Sequence, residues 1–358
     1  MRSLLKPTDY TSADAWMDEC RHLPETWTYA GLKSEITNRN DWKKIDFFET
    51  SMFLQNNGNE IEAFSNYCPH RFSALRTSHK GNGIIRCPYH SWTFGAEGKC
   101  AGIPGNTDIN KDEVRLHKWE LNYCGEMIFV RRTSSGPPLR DWLGVYHDEI
   151  ESISRSFGRK IDENRMKIRA NWKIVIENTL ENYHVATIHP DSFAKLGADS
   201  AELLTNGKHS SWFSALNEKT TKVAAILDRA LASRPTKFNG YRHICVFPIM
   251  TIASAFGTSF AVQEIRPIAP DLTEFVSHVF FTKFDDVSEA MRQLSEEFAR
   301  SIVTFNRQVF EEDKIICERV HSGTRVARNE RGYFVPQELR VGHFQKALRE
   351  TIGDHHDH

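Results

Sequence analysis

Two short loops constrain this chain most: Cys68-Pro69-His70 and Cys87-Pro88-Tyr89-His90, separated by sixteen residues. Each offers one thiolate and one imidazole, and each carries a proline that stiffens it. A zinc finger usually supplies a cysteine pair followed by a histidine pair. Two mixed pairs suit an asymmetric two-iron cluster instead, with the cysteines on one iron and the histidines on the other. Neutral imidazoles in place of two thiolates make such a cluster less negative and easier to reduce. Around these loops, from Trp27 to Arg132, the chain reads mostly as strand. Short runs such as Phe47-Phe48, Met52–Leu54 and Glu126–Val130 are separated by turn signals at Asn57-Gly58 and Gly81-Asn82-Gly83.

A length of 358 residues suggests about two domains. The break is expected at Ser134-Ser135-Gly136-Pro137-Pro138, where the prolines can extend neither a ladder nor a helix. The expected division is a β domain over 27–135 and a second domain from 1–26 and 136–358. Beyond the linker, Asp141–Arg155 and Asn171–His184 carry helical spacing. Tyr241–Phe284 reads as several antiparallel strands, and Val287–Val320 as a long amphipathic helix. The fold class is therefore α+β, an antiparallel sheet covered by helices beside an all-β domain.

Lys plus Arg total 46 against 47 Asp plus Glu, a balance that argues against a nucleic-acid partner. The polar opening Met1–Asp9 does not resemble a secretory signal. The most apolar stretch, Ile244–Phe260, is interrupted by Pro248 and by several Ser and Thr residues, so no membrane-spanning helix and a cytoplasmic setting are expected. Cys20, Cys100, Cys124, Cys245 and Cys317 have no partner at ligand spacing and read as buried apolar groups or inert thiols. The ending His355-His356-Asp357-His358 reads as a solvated tail.

A second constellation follows the Asn171–His184 segment. Glu181 and His184, three apart, share a face if helical. His184 and His189, five apart, are about 140° out of phase, so one straight helix cannot aim both at one metal. Pro190 disfavours helical geometry at His189, and the helix is expected to end or bulge between the two histidines. Two imidazoles want a carboxylate to complete a facial triad for non-haem Fe(II). In the long helix, Asp313 has Val309 and Phe310 four and three residues before it, and Ile316, Cys317 and Val320 three, four and seven after. An ionised carboxylate on that apolar face is costly unless a metal or a buried salt bridge compensates it. Glu312 is the weaker competitor, with Val309 and Ile316 near its face.

The first constellation, with Ser91-Trp92-Thr93-Phe94 and Gly98, resembles the Rieske iron–sulfur signature. Over nearly its whole length the chain resembles the catalytic α subunit of Rieske non-haem iron aromatic-ring-hydroxylating oxygenases. The resemblance is strongest at Cys68–Gly98, Asn171–Pro190 and Glu312–Val320, and weak between Asp191 and Tyr241. It implies a [2Fe–2S] cluster on Cys68, His70, Cys87 and His90, and a mononuclear Fe(II) on His184, His189 and Asp313. It also implies that Glu181 links His184 to the second Rieske histidine, matching His90, of a neighbouring subunit in a head-to-tail homotrimer. Most relatives carry Asp there, and the longer Glu resembles members acting on quaternary ammonium compounds. Asn178 matches a family asparagine near the iron.

The activity so implied is that of a terminal oxygenase. It uses O₂ and electrons from an NAD(P)H-dependent reductase of flavin or ferredoxin type to hydroxylate or oxidatively dealkylate a small organic substrate. The short chain without long insertions resembles the homotrimeric monooxygenases, which favours monooxygenation over ring cis-dihydroxylation. A Rieske electron carrier, the reading from another class, would leave the second constellation without a role. Trp212, Phe213, Phe247, Met250, Phe256 and Phe260 are the candidates for lining a substrate pocket.

Overall fold

A computed structural model of the chain describes residues 1–105, 108–198, 202–222, 225, 236–283, 289–327 and 330–353. Phe284, Val287 and the His355–His358 tail lie outside them. The chain divides into two compact units, Cys20–Trp142 and Met1–Glu19 with Leu143–His358.

The Cys20–Trp142 unit carries ten strands among the described residues: β1 (Thr28–Leu32), β2 (Asp41–Phe47), β3 (Thr50–Asn56), β4 (Ile61–Ser65), β5 (Lys80–Asn82), β6 (Ile85–Arg86), β7 (Thr93–Phe94), β8 (Cys100–Gly102), β9 (Lys118–Cys124) and β10 (Met127–Arg131). Seven of them form a sheet in the order β1-β10-β9-β4-β3-β2-β5, and β6-β7-β8 form a small second one. Every residue of β1 and β10 is buried, which is why Glu126–Val130 reads as an apolar run rather than as an alternation.

Two local expectations change. Phe48 does not extend the strand; with Glu49 it makes the tight β2–β3 turn at φ of 48° and 54°. Full burial of Phe48 accompanies this strained conformation. Gly81-Asn82, read as a turn, is an edge strand paired with Asp41 and Trp42. A side chain at Gly81 would come within 2.7 Å of the Trp42 ring, so the glycine serves close approach of the strands rather than a reversal.

The other unit holds a second seven-stranded antiparallel sheet, made of β11 (Phe157–Ile168), β12 (Glu202–Asn206), β13 (His209–Ser214), β14 (Tyr241–Val246), β15 (Met250–Ala255), β16 (Ser259–Ala269) and β17 (Leu272–Thr282), in the order β11-β17-β16-β15-β14-β13-β12. Helices pack on it: Glu289–Ala327 against β11, and Leu339–Ile352 against β13. The architecture is α+β.

The Asp141–Arg155 segment is two helices, Leu139–Leu143 and His147–Arg155, parted at Gly144, whose φ is +54°. The Asn171–His184 segment is helical only over Trp172–Thr179, capped by the Asn171 side chain on Lys173 N. Two buried anchors fix that short helix. Lys173 pairs with Glu19, which also accepts from Trp172 Nε1 at 2.6 Å. Tyr10 donates to Glu177 at 2.9 Å, and Gln345 donates to it at 3.0 Å.

Candidate functional site: two metal-binding constellations

The two Cys-His loops share one backbone shape. Phe72 N donates to Cys68 O at 2.9 Å and Ser91 N to Cys87 O at 3.0 Å. Cys68 N donates to Ser73 O, and Cys87 N to Trp92 O. In both loops the fourth residue after the cysteine turns left-handed, Phe72 at φ 59° and Ser91 at φ 60°. The β6–β7 hairpin carries the second loop, while the first follows β4.

This geometry sets both sulfurs in the core, 1% and 2% exposed, and brings the imidazoles together at the surface. The His70 and His90 rings lie 4.7 Å apart, and Trp92 stacks on His70 at 4.6 Å. His90 Nδ1 is buried and meets no hydrogen-bond partner among the described residues. Burial, joined by the neighbouring Cys87, pushes the Cys68 thiol up to about 11 despite a hydrogen bond with the His70 backbone. A buried orphan imidazole nitrogen beside two buried sulfurs fits a metal cluster, which would supply the positive charge that thiolates require.

The second constellation is assembled from distant parts of the chain. His184 and His189 flank a one-turn helix, Val185–Ile188, with His189 at φ −117° and ψ 42°. That break before Pro190 turns both rings toward Asp313 on the long helix. His189 Nε2 lies 3.0 Å and His184 Nε2 3.6 Å from Asp313 Oδ1, and all three ligand atoms lie within 4.8 Å of one another.

The remaining imidazole nitrogens are committed elsewhere. His184 Nδ1 bonds Glu181, and His189 Nδ1 bonds Glu312 at 2.6 Å. Each Nδ1–H on a carboxylate leaves an Nε2 lone pair for a metal. Burial lowers the His189 pKa, but Asp313 and Glu312 outweigh it and hold it above the usual imidazole value. Burial likewise raises Glu312, yet donors from Ser192, His189 and Gln308 prevail and keep its pKa low, so it stays an acceptor.

Glu181 does not occupy a helix with His184. Its carboxylate takes the backbone N–H groups of Tyr183 and His184 and closes a turn that ends the helical run early. Asn178 Nδ2 donates to Asp313 Oδ1 at 2.7 Å. The position of Glu312 against His189, and of Ser192 (2.6 Å) and Gln308 (2.9 Å) against Glu312, was not anticipated. The one available signal was the i,i+4 spacing of Gln308 and Glu312.

Beside the three convergent groups lies a cavity of about 430 Å³ on one face of the second sheet. The pleat decides its lining. Trp212, Tyr241, His243, Ala253 and Ala261 face inward, whereas Phe213 and Phe260, one residue out of phase, do not. Of the six aromatic and Met candidates only Trp212 and Phe256 line it; Phe247 packs on Phe344 instead. Tyr241 stands edge-on to Phe193 at 5.1 Å and tilted to Trp212 at 5.0 Å, which makes an aromatic corner. Burial, with the Asp313 charge, raises Tyr241 beyond the normal phenol range. Cys317, four residues after Asp313, is a lining thiol held protonated by burial.

Comparison with known proteins agrees with this architecture. Residues 26–118 match the Rieske [2Fe-2S] domain, and residues 139–354 match the ring hydroxylating alpha subunit (catalytic domain). The choline monooxygenase of Amaranthus tricolor is 23% identical over 96% of this chain and 77% of its own length. The glycine betaine monooxygenase oxygenase subunit of Pseudomonas aeruginosa is 28% identical over 49% of this chain, a match that spans 41% of that protein. Among solved structures, a quaternary ammonium Rieske monooxygenase superposes with a TM-score of 0.79 at 19% identity, covering 98% of this chain and 96% of that one. Naphthalene 1,2-dioxygenase from Rhodococcus sp. gives 0.77 at 19% identity, covering 97% and 94%. With a [2Fe–2S] cluster and a mononuclear iron as its cofactors, the chain belongs to the Rieske non-haem iron oxygenases, as an α subunit of the ring-hydroxylating type.

Proposed function

We propose that this oxygenase inserts one oxygen atom into a small organic substrate seated in the aromatic cavity, by hydroxylation or by oxidative removal of a methyl group from nitrogen. The observation that carries the reading is the convergence of His184 Nε2, His189 Nε2 and Asp313 on the cavity wall. These three residues hold the mononuclear iron, which when bound supplies O₂ activation. Glu181 and Glu312 keep the Nδ1 protons and fix both rings, while Asn178 steadies the Asp313 carboxylate. Cys68, Cys87, His70 and His90 would hold the [2Fe–2S] cluster, which when bound would supply one-electron transfer.

The inward aromatic faces of Phe193, Tyr241, Trp212 and Phe305 exclude water and suit a methylated or cationic nitrogen. The relatives acting on choline and glycine betaine support that class. The domain junction is placed at 135/136, in the segment between β10 and the helix Leu139–Leu143, a little before the end of the compact Cys20–Trp142 unit. Electrons come from an NAD(P)H-dependent reductase, and the working assembly is a homotrimer in which Glu181 meets His90 of the partner subunit. No described helix is long and apolar enough to cross a membrane, and the cysteines, none in a disulfide among the described residues, suit a reducing cytoplasm.

Reconstitution with Fe(II), NADH and a compatible reductase tests this reading. Quaternary amines, N-methyl compounds and aromatic acids should include one that gives O₂ uptake matched by a monohydroxylated or demethylated product. A cis-diol carrying both atoms of O₂, or uptake that yields only peroxide, contradicts it.

A further inference from the structure

Two residues of the cavity wall carry buried N–H donors that no described residue accepts. Trp212 and His243 are direct partners across β13 and β14, both line the cavity, and they are 4% and 3% exposed. Trp212 Nε1 and His243 Nε2 have no hydrogen-bond partner among the described residues. An indole N–H can only donate. The tautomer of His243 follows from its neighbour: Arg340 Nη2 donates to His243 Nδ1 at 3.2 Å, so the ring proton sits on Nε2. Burial and the charges of Arg340 and Arg242 hold this imidazole well below its ordinary pKa, and it stays neutral.

Arg340 is itself fully buried. Its other contacts are Ser210 Oγ at 3.0 Å, the Ser210 carbonyl at 3.3 Å and the Leu180 carbonyl at 3.3 Å. Every acceptor is neutral, and no described carboxylate pairs with it. A buried guanidinium with only neutral partners lacks the anion that normally compensates such a charge. In the same cross-strand row as His243 stand Ala253 and Ala261, whose small side chains also line the cavity.

We infer that Trp212 Nε1 and His243 Nε2, backed by Arg340, form a subsite that receives a carboxylate of the substrate. The inference rests on the oxygenase reading above and narrows its substrate class to compounds carrying an acid group. A carboxylate accepts from both donors, and its negative charge offsets that of Arg340 through the His243 ring. A neutral carbonyl or hydroxyl would engage the donors but leave the guanidinium unbalanced. Arg340 acts through His243 and is a positioning residue, whereas Trp212 and His243 touch the ligand.

The test is equilibrium binding to the iron-loaded, cluster-bearing protein without O₂, using two matched pairs: glycine betaine against choline, and benzoate against benzyl alcohol. The acid of at least one pair should bind about 10- to 100-fold tighter than its counterpart. Trp212→Phe and His243→Phe should each cut the acid's affinity about tenfold, and the alcohol's by clearly less. His243→Gln, whose amide can accept from Arg340 and still donate, should keep most of the preference. The subsite is overturned if neither acid binds, if neither is preferred, or if both members of a pair weaken equally, which would be a packing effect. Binding is read without turnover, so failure of the oxygenase reading shows separately, as a loaded protein that consumes no O₂.

Discussion

The two metal-binding constellations are built by opposite means. In the Cys20–Trp142 unit the backbone does the positioning. Two loops with the same hydrogen bonds and the same left-handed residue bury two sulfurs and leave two imidazoles outward. In the other unit side chains do it. Glu181, Glu312 and Asn178 hold His184, His189 and Asp313 in place from outside. A backbone-built site is carried by adjacent residues, whereas a side-chain-built site depends on groups far apart in the chain and is correspondingly easier to detune.

That contrast can be broken by substitution. The largest effect is expected at Glu181. Glu181→Ala should leave a reducible cluster and, at saturating Fe(II), bound iron, yet reduce product formation to near zero. Near-normal coupled turnover measured by O₂ uptake and product yield would rule out the proposed bridge. Glu312→Gln should be milder, weakening iron affinity about 10- to 100-fold with the cluster spectrum unchanged, as read by metal titration. An unchanged affinity would show that His189 needs no outer carboxylate. The smallest effect is expected in the backbone-built site. Ser91→Gly relieves a left-handed non-glycine residue and should stabilise the Rieske unit by up to about 1 kcal/mol in thermal unfolding. A loss of stability would mean that the Ser91 side chain, rather than the loop shape, matters.

The same contrast explains what could be read in advance. The Cys-His spacing is local and therefore visible, as is the conflict between His184 and His189 that Pro190 resolves by ending the helix. Asp313 was legible because a carboxylate on an apolar helix face demands compensation. Glu312 reads there only as the weaker competitor for the metal; one residue earlier on the helix, its side chain reaches His189 Nδ1 instead. The strands β11 and β12 escaped notice because they are rich in charged and polar residues and only partly buried. Phe213 and Phe260 fail as pocket residues because hydrophobicity does not tell which face of a strand is turned inward. Arg340 drew no attention, since an arginine in an amphipathic helix is ordinarily solvated.

We assign His184, His189 and Asp313 to a mononuclear iron independent of the cluster assigned to Cys68, His70, Cys87 and His90. Iron analysis together with the electron paramagnetic resonance spectrum of reduced Asp313→Ala decides the assignment. The expected result is a loss of about one iron per chain, an unchanged [2Fe–2S] signal and no product. Full iron content with retained turnover, or loss of the cluster signal along with the iron, would contradict it.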